Sequence, residues 1–172
     1  MTHDHRTDRS TDARPDRSTD ARTDRSTDAR TDHRTEARAD RRTLLNPSAL
    51  HDPTGYGYTH VAAAAGRQVF IAGQYASDET GAVVSDAFDA QVAWSMANLR
   101  TALGAAGLDF TDVVRIGTYI VDHDEEKLHV LLKHLRAAWG ERLPAQTLIG
   151  VAALALPDML FEIDAVAVRD QA

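Results

Sequence analysis

The chain contains no cysteine. Disulfides, thiolate metal sites and a catalytic thiol are thereby excluded. It has no apolar run of the roughly 20 residues that a membrane-spanning helix needs. The N-terminus is polar and does not read as a secretory signal, so the default expectation is a cytoplasmic protein. Familiar catalytic signatures are missing as well. Gly55-x-Gly57 precedes a strand-like stretch and opens no helix, so it is not a phosphate-binding loop. The eight histidines show no HExxH pattern; His129 and His134 lie five apart, too far round a helix to share a ligand, and read as surface residues. No serine or threonine sits in a nucleophile elbow. Neither a metal nor an organic cofactor is expected.

What is present divides in two by charge. Of the 172 residues, the first 43 carry eleven arginines against ten acids, and the remainder carries eight basic against sixteen acidic residues, a net charge of −8. So acidic a domain repels phosphate backbones, which makes nucleic acid a poor partner. Residues 1–43 form an octapeptide repeat: RTDRSTDA from Arg6, RPDRSTDA from Arg14, RTDRSTDA from Arg22 and RTDHRTEA from Arg30. Apart from Met1 and Pro15 its apolar side chains are alanines. Such a segment buries too little surface to offset its ordering entropy, and it reads as a disordered tail. The folded part is expected from Leu44 to the end, residues 44–172.

That part opens with a turn-rich lead-in containing Asn46-Pro47 and Asp52-Pro53-Thr54-Gly55. Thr59–Ala64 and Gln68–Ala72 flank Ala65-Gly66-Arg67 and read as a β-hairpin. Phe88, Val92, Met96, Leu99 and Leu103 then follow helical spacing, with Asp86 as the expected N-cap and Gly107 as the stop. Val113–Val121 is β-branched and apolar, hence a strand. Alternation places Val114, Ile116 and Ile120 on one face and Val113, Arg115, Gly117, Tyr119 and Val121 on the other. Asp122–Asp124 caps a second helix that buries Leu128, Leu131, Leu132, Leu135 and Trp139 and ends at Gly140. Two apolar strands follow, joined by a turn at Leu156-Pro157-Asp158. In the last, Phe161, Ile163, Ala165 and Ala167 alternate with Glu162, Asp164, Val166 and Val168.

The order β-β-α-β-α-β-β describes an α+β fold with both helices on one face of a mixed sheet. The other face carries Arg115, Tyr119, Glu162 and Asp164 among valines and alanines. A second copy of the chain is the economical cover for it, so an oligomer is expected. Carboxylates in such a strand must be paired, hydrated at an interface, or used.

Residues 44–172 resemble the Rid (reactive intermediate deaminase, YjgF) family. The matching stretches are Gly57-Tyr58-Thr59-His60, Ile71-Ala72-Gly73-Gln74, Ala105-Ala106-Gly107-Leu108 with Asp112-Val113-Val114, Leu143-Pro144-Ala145, and Glu162-Ile163-Asp164-Ala165-Val166-Ala167-Val168. The tail has no counterpart. The resemblance implies a chorismate-mutase-like fold and a homotrimer with sites in the clefts between subunits. It also implies hydrolysis of enamines or imines released by pyridoxal-phosphate enzymes. In that subgroup an arginine after Pro-Ala grips the substrate carboxylate and a tyrosine contacts the substrate. Backbone groups orient it, and a glutamate holds the attacking water. Tyr58, Gly73 and Glu162 stand at matching positions, and Leu148 lies where only its backbone would serve.

One departure bears on substrate. Gln146, not arginine, follows Pro144-Ala145. Glutamine cannot make the charge-assisted fork. Losing a desolvated partner for a charged group costs about 2–5 kcal/mol, a roughly 30-fold to several-thousand-fold loss of affinity. Ordinary 2-imino acids are therefore expected to be poor substrates, and a neutral carbonyl, amide or hydroxyl to suit Gln146 better. Arg115 either replaces the missing cation or pairs with Asp164. Glu162 either holds the hydrolytic water or is an interfacial acid satisfied by backbone N–H groups. Two functions remain: an imine or enamine hydrolase, and a non-catalytic trimer that binds a small molecule in the same cleft.

Overall fold

The structure, a computed structural model, describes residues 40–169. The repeat up to residue 39 lies outside the described residues. Eight regular elements follow in order. They are β1 (Thr43–Leu45), β2 (Val61–Ala63), β3 (Arg67–Tyr75), α1 (Phe88–Ala105), β4 (Val113–Val121), α2 (Glu125–Trp139), β5 (Ala145–Val151) and β6 (Phe161–Arg169). The main sheet has the order β3-β6-β4-β5. β6 is antiparallel to both neighbours and β5 runs parallel to β4, so the sheet is mixed. β5 and β6 are joined in sequence but separated in space by β4.

The two helices cover one sheet face through the apolar stripes that their spacing announces. Val92, Leu99 and Leu103 of α1 and Leu131 and Leu135 of α2 meet Ile116, Ile120, Phe161, Ile163 and Ala167 in one core. Each fully buried Leu or Ile contributes about 1.5–3 kcal/mol by leaving water. Asp124 caps α2, accepting from the Lys127 N–H at 2.8 Å. The buried Gln91, not singled out by spacing, ties α1 to the turn before β6. Its amide donates to the Ser85 and Asp158 carbonyls and accepts from the Leu160 N–H.

Four expectations need correcting. Thr59–Ala64 and Gln68–Ala72 do not form a hairpin: β2 pairs with β1, Leu45 facing Val61, while β3 pairs with β6. The cause is at Gly66, whose φ is +144° and whose backbone lies flush against the Arg169 carbonyl and the Val168 side chain. The chain passes the end of β6 there instead of folding back on itself. The second correction concerns β4. A bulge between Val113 and Arg115 sends Val113 into the core opposite Ala167 and leaves Val114 half-buried. Strict alternation had those two reversed. Third, the N-cap of α1 is Ala87, and no side chain caps it; Ser85 Oγ accepts from the Ala87 N–H instead. Fourth, ordered structure starts before Leu44. The Arg42 guanidinium is buried, donating to the Val113 carbonyl at 2.7 Å, the Arg142 carbonyl at 2.8 Å and the Asp40 carboxylate. Arg142 completes the clasp with its own bond to Asp40 at 2.7 Å.

Candidate functional site: a cavity at the β5 edge and a carboxylate face behind it

A cavity of about 580 Å³ opens where the lead-in meets the β5 edge of the sheet. Its first wall is the segment before β2: His51, Tyr56 and Tyr58. Its second is the start of α2 and the loop before it, Leu128 and His123. β5 supplies the floor with Gln146, Thr147 and Leu148. The lead-in reaches this edge because Thr59 bridges to Ala145 in parallel and its N–H donates to the Pro144 carbonyl at 3.0 Å. Three of the sequence-derived residues, Tyr58, Gln146 and Leu148, thus line one space.

Gln146 stands opposite Ile116, on the helix-covered side of the sheet. Its amide donates to the buried Thr118 hydroxyl at 2.9 Å. One end of the amide is spoken for and the other remains for a ligand. No lysine or arginine is among the described residues that line the cavity, and no carboxylate is either. Its polar groups are two imidazoles, two phenols, an amide and a hydroxyl.

The other three sequence-derived residues lie on the opposite, open face. Glu162 projects over β3 at the bulge between Ile71 and Gln74, and a Cβ on Gly73 would overlap its carboxylate. Gly73 is therefore needed for the room it leaves. The Glu162 pKa is raised above the ordinary 4.5, first by desolvation and then by the nearby Asp164 charge. Asp164 repeats the arrangement on the other flank of β6, lying over Gly117, where a Cβ would come within 2.6 Å of Oδ2. It accepts from the Tyr119 hydroxyl at 2.8 Å, the Gly117 N–H at 3.2 Å and Arg115 at 3.4 Å. The bond to Asp164 is the main cause of a raised Tyr119 pKa. Arg115 is thus the ion-pair partner of Asp164 and does not join Gln146 within one protomer. Phe70, 72% exposed, and Ile149, 43% exposed, lie uncovered.

Among the described residues no three His, Asp or Glu side chains gather into a metal-binding group, and no helix is long and apolar enough to cross a membrane. A family model described as endoribonuclease L-PSP matches residues 50–169. The chain belongs to this family, which includes the Rid and YjgF proteins. A Rid family protein of Yersinia pestis, YyfB, is 35% identical, with a TM-score of 0.71 across 75% of this chain and 99% of that one. RidA of an Antarctic Psychrobacter species is 27% identical, with a TM-score of 0.55 across 74% of this chain and 98% of that one. A RutC family protein of Pyrococcus horikoshii is 32% identical over 108 residues, 62% of this chain and 82% of its own length. Family membership and the α+β fold therefore agree with the resemblance.

Sequence reasoning passed over His51, Tyr56, His123, Leu128 and Thr147. A signal was available for the first two: His51, Tyr56, Tyr58 and His60 put four rings within ten residues of a chain only 6% aromatic. His123, Leu128 and Thr147 carry no such mark, since only the packing of α2 beside β5 brings them together.

Proposed function

We propose that this protein hydrolyses a reactive imine or enamine to a carbonyl compound and ammonia, and that its substrate lacks the carboxylate of ordinary 2-imino acids. The observation that carries this is the cavity at the β5 edge, in which Gln146 occupies the floor and, among the described residues, no lysine or arginine lines the walls. An amide recognises a neutral carbonyl, amide or hydroxyl; it cannot neutralise a carboxylate in a partly dry site. Glu162 is the proposed base. Its raised pKa suits a carboxylate that takes a proton from water and returns it. Tyr58 and the backbone at Gly73 and Leu148 orient the substrate.

In one protomer Glu162 and Gln146 stand on opposite sheet faces, with β4 between their strands. The proposal therefore requires that copies of the chain associate, so that the open face of one is laid against the cavity edge of another. A homotrimer with three shared clefts meets that requirement. The exposed Phe70 and Ile149 supply apolar surface for it. The acidic character of the folded part and the lack of a lysine or arginine among the described residues of the cavity disfavour RNA as a substrate.

The test is ammonia release from a panel of cyclic and acyclic imines, with Glu162→Gln as the control. Turnover of a neutral imine by the wild type and its loss in the variant support the reading. Binding without turnover would favour a trimeric small-molecule-binding protein instead.

A further inference from the structure

We infer that His51 and Tyr58 form a proton relay that serves the nitrogen of the substrate, on the opposite side from Glu162. This inference rests on the hydrolase reading above. Hydrolysis of R₂C=NH needs two protons at nitrogen and removes two from water. As the water oxygen bonds to carbon, its proton goes to Glu162 and the C=N electron pair moves to nitrogen, which takes a proton. The resulting carbinolamine then loses its hydroxyl proton, the C–N bond breaks with its pair on nitrogen, and a second proton makes ammonia. A carboxylate holding water serves the oxygen. The nitrogen needs a donor of its own, and among the described residues of the cavity walls there is no carboxylate to act as one.

They do carry a joined pair. His51 Nε2 lies 2.8 Å from the Tyr58 hydroxyl, and both side chains line the cavity. In one state Tyr58 donates to Nε2; in the other a protonated Nε2 donates to the phenol oxygen. Passing from the second to the first as Tyr58 gives its own proton to nitrogen moves one proton and leaves no phenolate. Solvent then reprotonates the exposed His51.

The pair is held more firmly than an exposed imidazole and a half-buried phenol need. The His51 ring meets Tyr56, Tyr58 and His60 edge-on, with centroids 5.8, 6.2 and 5.0 Å away. The His51 carbonyl accepts from His60 Nε2 at 2.9 Å, and the His60 N–H donates to Asn46 Oδ1 at 2.9 Å. Asp52 accepts from the Thr54 N–H and hydroxyl, closing the turn beside His51. For mere satisfaction of a half-buried phenol, water would do nearly as well.

The experiment uses the full chain and the best neutral imine from the panel. Tyr58→Phe removes the donor; His51→Gln keeps a polar atom near the Nε2 position but cannot carry a proton. Each should lower kcat by about 100-fold with KM changed less than about threefold, as general acid catalysis is worth. The double variant should lose no more than either single one, because the two act in series. Added imidazole should restore part of kcat to His51→Ala. Wild-type kcat in His51→Gln, or losses that multiply in the double variant, would overturn the relay and leave the hydrolase reading standing. A wild type that releases no ammonia from any imine overturns both.

Discussion

The two faces of the main sheet are built from the same strands by opposite rules. On the helix-covered face β6 presents four apolar, buried residues: Phe161, Ile163, Ala165 and Ala167. On the open face the same strand presents Glu162 and Asp164, each lying over a glycine of its neighbour. Phe70 stands beside Val166 there with most of its surface in water. Burial on the first face is complete within one protomer. On the second it is not: the exposed Phe70 shares that face with two carboxylates, one of them desolvated, and a partner is expected there. The covered face makes the fold, and the open face is where association is expected.

The comparison breaks most sharply if the open face has no partner. Phe70→Asp with Val166→Asp sets two carboxylates opposite one another on that face. Light scattering should give a trimeric mass for the wild type at micromolar concentration and a monomeric one for the double variant. A monomeric wild type would remove both the shared cleft and the role of Glu162 in it.

Next in size is Glu162 itself. Glu162→Gln should lower imine turnover by about 10² to 10⁴ while stabilising the fold near neutral pH. The sign follows from the raised pKa. The folded protein holds that proton more tightly than the unfolded chain. The stabilisation is complete below the ordinary glutamate range and fades as pH rises through the raised value. Glutamine titrates nowhere, so the Tm of the variant should exceed the wild type's by a margin that widens from pH 4 to pH 8. A margin independent of pH would show that Glu162 is not desolvated.

Gln146→Arg sharpens the contrast from the cavity side. It should raise affinity for small 2-keto acids by about 30-fold or more and confer hydrolysis of 2-iminopropionate. The cost is the bond to the Thr118 hydroxyl. Calorimetry with pyruvate reads the first effect. Strong wild-type turnover of that imine would mean that a cation from elsewhere, Arg115 foremost, reaches the cleft.

The smallest effect concerns stability alone. Arg42→Met removes a buried guanidinium, frees the Val113 and Arg142 carbonyls and leaves Asp40 with Arg142 alone, which should cost about 1–2 kcal/mol in urea unfolding. Desolvation pushes the Asp40 pKa up, but its bonds to Arg42 and Arg142 outweigh this and hold it well below the ordinary 3.8. The clasp should therefore contribute fully above that range and weaken as pH falls below it. Equal losses in the variant at pH 7 and pH 3 would show that the ion pair contributes little.

Much of this was legible in the chain. Helical spacing marked both α1 and α2, and alternation in β6 separated Glu162 and Asp164 from the core. These signals are local, since period and side-chain direction follow from backbone geometry alone. Gln146 after Pro144-Ala145 was equally visible, and with it the expectation of an unusual substrate.

Other features depended on contacts distant in sequence. The bulge at Val114 reversed two side chains because pairing with β6, some 50 residues away, sets the register of β4. β2 left its expected hairpin because β1 offered a partner and Gly66 let the chain pass β6. That Glu162 and Gln146 occupy opposite faces follows from the registers in which β6 and β5 pair with β4, Glu162 beside Tyr119 and Gln146 beside Ile116, which spacing in either strand alone does not encode. The bond between His51 and Tyr58 is local, within ten residues of sequence, but its place at the cavity wall is decided by the β5 edge that receives the lead-in.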